Sequence, residues 1–181
     1  MPSIRFTPGE RHVFRRRAHI PLSVWAARNL IVKDGPYAGG GYRRDVNPYL
    51  AGIMDTWSMP GVKEVVVCGS AQTGKTLVMH AALAYCIDMR PGPRMLAMQD
   101  DDAIGKVVAN KLVPMFRASP PVRAQLGKVR NTRISFRDGT NLFMASAQSQ
   151  GQRASISIQD LFLDEEALYK QIAGQGVPVE E

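Results

Sequence analysis

The sequence predicts an α/β fold, a three-layer sandwich around a mainly parallel sheet, and three observations predict it. Short β-branched or apolar runs alternate with longer helical segments, a glycine-bearing loop joins one such run to an apolar helix, and an acidic pair ends the last run. Alternation of this kind builds a parallel sheet, because right-handed crossovers return successive strands to one sheet and lay the helices on its faces.

Residues 1–46 read as a basic N-terminal arm and lead-in. Arg11, Arg15, Arg16 and Arg17 crowd it, Pro2, Pro8 and Pro21 interrupt it, and no periodicity is sustained through residue 24. A short helix is expected from about Leu22 to Val32, ending before Asp34-Gly35-Pro36, and residues 34–48 form a Gly/Pro-rich loop closed by Asn47-Pro48. Tyr49–Trp57 reads as a helix with Tyr49, Ile53 and Trp57 on one side, and Pro60-Gly61 ends it. Val62–Cys68 is a β-branched run suited to a strand buried on both faces.

The loop Gly69–Thr76 follows, then an apolar helix over Lys75–Met89, closed by Arg90-Pro91-Gly92-Pro93. Met95–Gln99 reads as a second strand. Asp100-Asp101-Asp102 then opens a helix, where acids suit the positive end of the dipole, and it runs to about Phe116 before Ser119-Pro120-Pro121. Arg133–Arg137 and Asn141–Ala145 flank Asp138-Gly139, a hairpin signal. Ser155–Leu163 is the last apolar strand, although Asp160 interrupts it and moves its expected start to Leu161. These readings make 47–173 the core and 174–181 a flexible tail of Gly, Pro and Glu.

Composition narrows the function classes. An apolar fraction of 45% and a charged fraction of 22% belong to a globular chain and argue against wholesale disorder. No run approaches the roughly 18–20 apolar residues of a membrane helix, and no signal core follows the basic N-terminus. No membrane association is therefore expected. Cys68 and Cys86 sit in apolar runs without Cys or His at ligand spacing and read as buried free thiols; His12, His19 and His80 are scattered. The net charge of +7 favours a polyanionic partner. Between Arg117 and Arg137 lie Arg123, Lys128, Arg130 and Arg133 and no acid at all; charge alone does not separate a solvated face from a track for DNA phosphates.

The loop Gly69-Ser70-Ala71-Gln72-Thr73-Gly74-Lys75-Thr76 matches GxxxxGK[ST] at every fixed position. Gly69 and Gly74 let the backbone wrap phosphates with N–H groups pointing inward at a helix start; Lys75 reaches the β- and γ-phosphates, and the Thr76 hydroxyl ligates magnesium. A β-branched run before the loop and an apolar helix after it supply the context the motif needs. Downstream, an apolar strand ending in Asp164 sets a carboxylate beside that magnesium, and Glu165 can polarise a water for attack on the γ-phosphate. Glu165 is preferred to Glu166 because it directly follows the metal aspartate. Together these motifs specify a P-loop NTPase of the RecA/ASCE kind using ATP and Mg²⁺, with a sheet incomplete at the C-terminus. Tyr49, Arg43, Arg44 and Trp25 are candidates to bracket the adenine, with core packing the competing role for Tyr49 and Trp57.

At this point the chain resembles the large terminase subunit of tailed phages, the lambda-type or GpA-like group, in its N-terminal ATPase part. The resemblance runs from about Asn47 to Tyr169. It is carried by Pro48-Tyr49, Ile53-Met54-Asp55, Pro60-Gly61-Val62 leading into Glu64-Val65-Val66-Val67, the Gly69–Thr76 loop, Leu112-Val113-Pro114-Met115 and Ala145–Arg153. It implies an ATP-driven motor that moves double-stranded DNA into a procapsid, working as a homo-oligomer with a terminase small subunit and a portal protein in the host cytoplasm. It also implies a metal-dependent nuclease in a separate C-terminal domain. Many members carry an arginine in the loop where this chain has Gln72, and Arg153 is the candidate substitute. The chain ends soon after Glu166, before the coupling motif and the nuclease, as expected of a shortened chain, a split reading frame or a prophage remnant.

Three other readings stay open. A small P-loop kinase fits the size, but the Asp164-Glu165 pair favours hydrolysis over transfer. A DExx-box helicase fits Asp164-Glu165-Glu166-Ala167 but requires a second lobe. A remnant that binds nucleotide or DNA without turnover is the non-enzymatic alternative.

Overall fold

The computed structural model describes residues 19–33, 38–147, 156–165 and 169. Its elements are α1 (Leu22–Asn29), α2 (Pro48–Ser58), α3 (Lys75–Met89), β1 (Arg94–Met98), α4 (Asp101–Val107), a π-helical stretch over Val108–Leu112, α5 (Val113–Ala118), α6 (Pro120–Gln125), β2 (Leu126–Arg130), β3 (Arg133–Phe136), β4 (Asn141–Ser146) and β5 (Asp160–Leu163). The five strands form one sheet in the order β2-β3-β4-β1-β5.

β1 is the central strand of the parallel part, pairing Met95 with Phe143 of β4 and with Leu161 of β5. β3 is antiparallel to β4, Ile134 facing Leu142, and β2 is antiparallel to β3, Val129 facing Ile134. Four strands therefore run one way and β3 alone opposes them. All five residues of β1 are buried, as a central strand with both faces covered requires. The Asp138-Gly139 turn forms as expected, with Gly139 at φ 84°, a left-handed value that Gly adopts at little cost.

Right-handed crossovers explain the layering. From β1 the chain moves across β4 and β3 to β2, with α4, the π stretch, α5 and α6 on one face; β5 lies on the far side of β1 from β4, and Ile156 and Ile158, just before it, pack on the other face. Every helix contributes to the principal core, with Trp25, Met54, Leu83, Ile104, Phe116 and Val122 meeting Leu96, Leu142 and Phe162. The opposite face holds a small cluster, Met95, Ala97 and Ala145 under Phe143, Ile156 and Ile158. A second helical layer is not seen among the described residues, where extended chain covers that face.

Helices form largely where the periodicity places them. α3 spans the expected residues, and Asp100 caps α4 by accepting from the Ala103 N–H at 2.8 Å. Pro114, which has no N–H and would crowd an α-helical carbonyl four residues back, is accommodated by the π stretch just before it. α2 is correct in extent, but its buried face is Leu50, Ala51, Met54 and Ser58, one residue on from the expected Tyr49-Ile53-Trp57 side; Tyr49 is 53% exposed. α6 and β2 were not foreseen, since Pro120-Pro121 reads as a break although proline is well suited to a helix's first turn.

Two expectations are corrected. Val62–Cys68 forms no helix and joins no ladder among the described residues, and Val66 is 74% exposed. A strand buried on both faces needs a neighbour and a covering layer; on the sheet's β5 side Leu161 and Leu163 are likewise exposed. In consequence Cys68 is exposed, and of the two thiols Cys86 alone is buried. Asp160 does not interrupt β5 but belongs to it, its carboxylate 3.2 Å from Arg90 and 3.5 Å from the fully buried Arg94. The arginines at Arg11 and Arg15–Arg17, the Asp34-Gly35-Pro36 stop, Glu166 and the 174–181 tail lie outside the described residues.

Candidate functional site

The glycine-bearing loop closes on itself at the start of α3. Gly74 is the residue before the helix at φ 87°, and a Cβ added there would stand 2.7 Å from Leu50 Cδ1, so both backbone and space demand glycine. Gln72 is also left-handed, at φ 60°. The Lys75 ammonium donates to the carbonyls of Gly69 (2.5 Å) and Ser70 (2.8 Å), and the Thr73 hydroxyl donates to the Ser70 carbonyl (2.9 Å). From α2, the Tyr49 hydroxyl donates to the Thr73 carbonyl at 2.8 Å.

α3 begins with no side-chain cap and no acid in its first turn. Its first N–H groups stand at the positive end of a 15-residue helix dipole, the arrangement that attracts a phosphate.

The acidic pair lies at the carboxyl end of β5. The Asp164 N–H donates to the Ala97 carbonyl at 3.1 Å, extending the β1–β5 pairing by one residue, and the Tyr169 hydroxyl donates to the same carbonyl at 2.8 Å. Glu165 turns out of the strand at φ 51°, a left-handed conformation uncommon for a residue with a side chain. The Asp164 carboxyl is half-buried and pushed above the ordinary carboxylate range, first by burial and then by the Glu165 charge, against the pull of Lys111 and Lys75.

A cleft of about 910 Å³ lies between the loop and Glu165, within the range of small-molecule sites, and Asp164 is not among the residues that line it. Ala71, Gln72, Thr73, Gly74, Lys75, Thr76, Tyr49 and Glu165 line it, while Gly69 and Ser70 hold the Lys75 ammonium from behind. Arg43 lines it too, paired with Asp45 at 2.5 Å. Arg44 instead lies 3.6 Å from Asp55. Trp25 is corrected from adenine candidate to core residue: it is 1% exposed, donates from Nε1 to Asp88 at 2.8 Å and meets Tyr85 edge-on at 5.7 Å. Trp57 packs on Phe162 and Tyr85, with the Arg90 guanidinium 5.4 Å from its ring centroid. Arg153 lies outside the described residues.

The sequence reading missed Lys111, which lines the cleft beside Lys75, His80 and Glu165. It stands in the π stretch, where the extra residue per turn rotates side chains off the α-helical face. Pro114, three positions on, was the signal that regular periodicity fails there.

Residues 37–180 match the family described as phage terminase large subunit gpA, ATPase domain. The chain belongs to this family. A search among curated proteins returned no match. Membership in the gpA ATPase family makes this an ATPase portion of a terminase and implies nucleotide use and ATP hydrolysis in general. The mixed α/β sheet accords with such a domain. Among the described residues no helix is long and apolar enough to cross a membrane.

A magnesium ion fits the donors present. Such an ion is usually held by one or two protein ligands together with waters and substrate phosphates. Asp164, with its carboxyl raised by burial and by Glu165, is a place where an added cation offsets excess negative charge.

Proposed function

We propose that this chain is the nucleotide-hydrolysing part of a DNA-packaging motor, a P-loop ATPase of the RecA/ASCE kind. The observation that carries the reading is the convergence of Lys75, the uncapped start of α3 and Glu165 on one cleft. In this reading the phosphates lie against the N–H groups of Gly69–Thr76, and Lys75 exchanges its carbonyl partners for β- and γ-phosphate oxygens. Thr76 and Asp164 would hold Mg²⁺, which would supply charge neutralisation for the phosphates. Glu165 orients the attacking water and accepts its proton. Lys111 supplies a second positive charge opposite Lys75, Tyr49 stands beside the base, and Arg153 takes the triggering role that Gln72 cannot.

Residues 47–173 are the ATPase core in this proposal, 1–46 its lead-in and 174–181 a flexible tail. Hydrolysis drives translocation of double-stranded DNA into a procapsid in the host cytoplasm, in a homo-oligomer with small-subunit and portal partners. The nuclease of such a terminase lies outside these residues.

The test is ATP turnover of the purified chain with and without linear duplex DNA, beside Lys75→Ala and Glu165→Gln. Turnover abolished by both substitutions is the expected result. Turnover that survives both would refute the assignment of this cleft, and phosphate transfer to a small acceptor would favour the kinase.

A further inference from the structure

The basic run between residues 117 and 137 folds into a feature that the cleft does not use. In the β2–β3 hairpin Val129 faces Ile134, and Ile134 and Phe136 are buried in the principal core. Alternation along the strands sends the intervening residues to the other side. Arg130 faces Arg133 directly across the ladder, while Lys128 lies at the bulge between Leu126 and Val129 and Arg137 follows the end of β3. All four are exposed. The Arg137 N–H donates to the Gln125 carbonyl at 2.8 Å, drawing the strand's end to the close of α6, where Arg123 is also exposed.

Like charges set opposite each other on a sheet are destabilising. Among the described residues no acidic side chain pairs with any of these four. Two other exposed cations do have acids: Arg43 has Asp45 and Lys106 has Asp102. The hairpin is thus a row of uncompensated positive charge on a rigid, two-stranded edge. Beside it, on the same side, Phe143 stands opposite Arg133.

We propose that the exposed cations of the β2–β3 hairpin, with the facing pair Arg130 and Arg133 at its tip and Lys128 and Arg137 beside them, bind the phosphate backbone of double-stranded DNA without regard to sequence. The partner's identity rests on the packaging-motor reading; the surface itself rests on the hairpin's register and charge. A duplex backbone offers regularly spaced anions along a line, and spreading the contacts over four cations relieves the Arg130–Arg133 repulsion. Asn131 is the one amide side chain of the hairpin, and the surrounding cations match the anions of a backbone in any sequence.

The test is the affinity of the full chain for a fluorescent mixed-sequence duplex of about 30 base pairs, measured by anisotropy across a salt series. Arg130→Ala/Arg133→Ala is compared with Arg28→Ala/Lys63→Ala, which removes the same charge elsewhere on the exposed surface. The hairpin pair is expected to lower the slope of log K against log salt by about 1.8, from about 0.9 per lost phosphate contact. It should also weaken binding at least about ten-fold in moderate salt. Its Tm should not fall, because the substitution removes an opposed like-charged pair. Equal effects from the two pairs, or no DNA binding by the unaltered chain, would overturn the proposal. ATP turnover without DNA is read in parallel: loss of turnover with the hairpin effect intact would count against the ATPase reading alone.

Discussion

The Tyr49 hydroxyl donates to the Thr73 carbonyl at 2.8 Å, so the exposed edge of α2 is tied to the Gly69–Thr76 loop. This bond holds the loop turn from outside while Lys75 holds it from within. Tyr49→Phe keeps the ring and removes the tie. A single such bond is worth about 0.5–1.5 kcal/mol, so nucleotide affinity should fall roughly two- to ten-fold with the fold unchanged. Titration with a fluorescent ATP analogue checks it; unchanged affinity would mean the bond does not order the loop.

Gly74 tests the loop's backbone. Gly74→Ala must hold a side chain at φ 87° and press on Leu50 Cδ1 at 2.7 Å. The strained conformation alone costs about 1–3 kcal/mol, and nucleotide binding should weaken correspondingly. Adding Leu50→Ala removes the contact but not the strain, so the double variant should recover only part of the lost binding. Full recovery in calorimetry would place the whole requirement on space.

Lys111 can be tested apart from Lys75, which lines the same cleft. Lys111→Met keeps the side chain's length and deletes its charge. A charged hydrogen bond is worth about 1.5–3 kcal/mol, so turnover should drop roughly ten- to a hundred-fold if the ammonium meets the phosphates as proposed. Steady-state hydrolysis measures it, and a near-normal rate would remove Lys111 from the mechanism.

Arg94 is the stability test. Fully buried in β1, it donates to the carbonyls of Cys86 (2.8 Å) and Arg90 and stands 3.5 Å from Asp160. The group thus binds the end of α3 to β1 and β5. Asp160→Ala leaves a buried guanidinium without its counter-charge and should cost about 3–5 kcal/mol in urea denaturation. A loss below about 1 kcal/mol would show that the two carbonyls suffice.

The thiols differ by environment. Cys86 is pushed up to about 12 by burial first and the Asp160 charge second, while Cys68 is exposed. At pH 8 a thiol reagent should therefore modify Cys68 promptly and Cys86 only on unfolding, as peptide mapping would reveal. Because the folded pKa of Cys86 lies above its unfolded value near 9, its contribution to stability is complete below pH 9 and is lost as pH climbs toward 12.

Much of this organisation is legible in the chain itself. The GxxxxGK[ST] spacing, the apolar α3, the Asp138-Gly139 hairpin and the strand ending in Asp164-Glu165 are local statements, and each was made by residues within one element. What failed was less local. The Tyr49-Ile53-Trp57 stripe was off by one residue because Leu50 and Met54 meet α1 and α3, contacts that sequence spacing does not contain. Lys111 was invisible because the π stretch at Pro114 changes the period on which a face is read. Val62–Cys68 has a strand's composition, yet a strand exists only when another backbone takes up its hydrogen bonds.

By itself, then, the sequence determined most of the helices and the parallel strands and the positions of the loop and the acidic pair, since backbone freedom at glycine, helix polarity and side-chain type are properties of short segments. Only the tertiary structure decided which residues share the cleft, why Asp160 belongs inside a strand, and which side of the sheet collects the unpaired arginines. Those outcomes depend on strand register and crossover direction, and both are set by contacts between residues far apart in the chain.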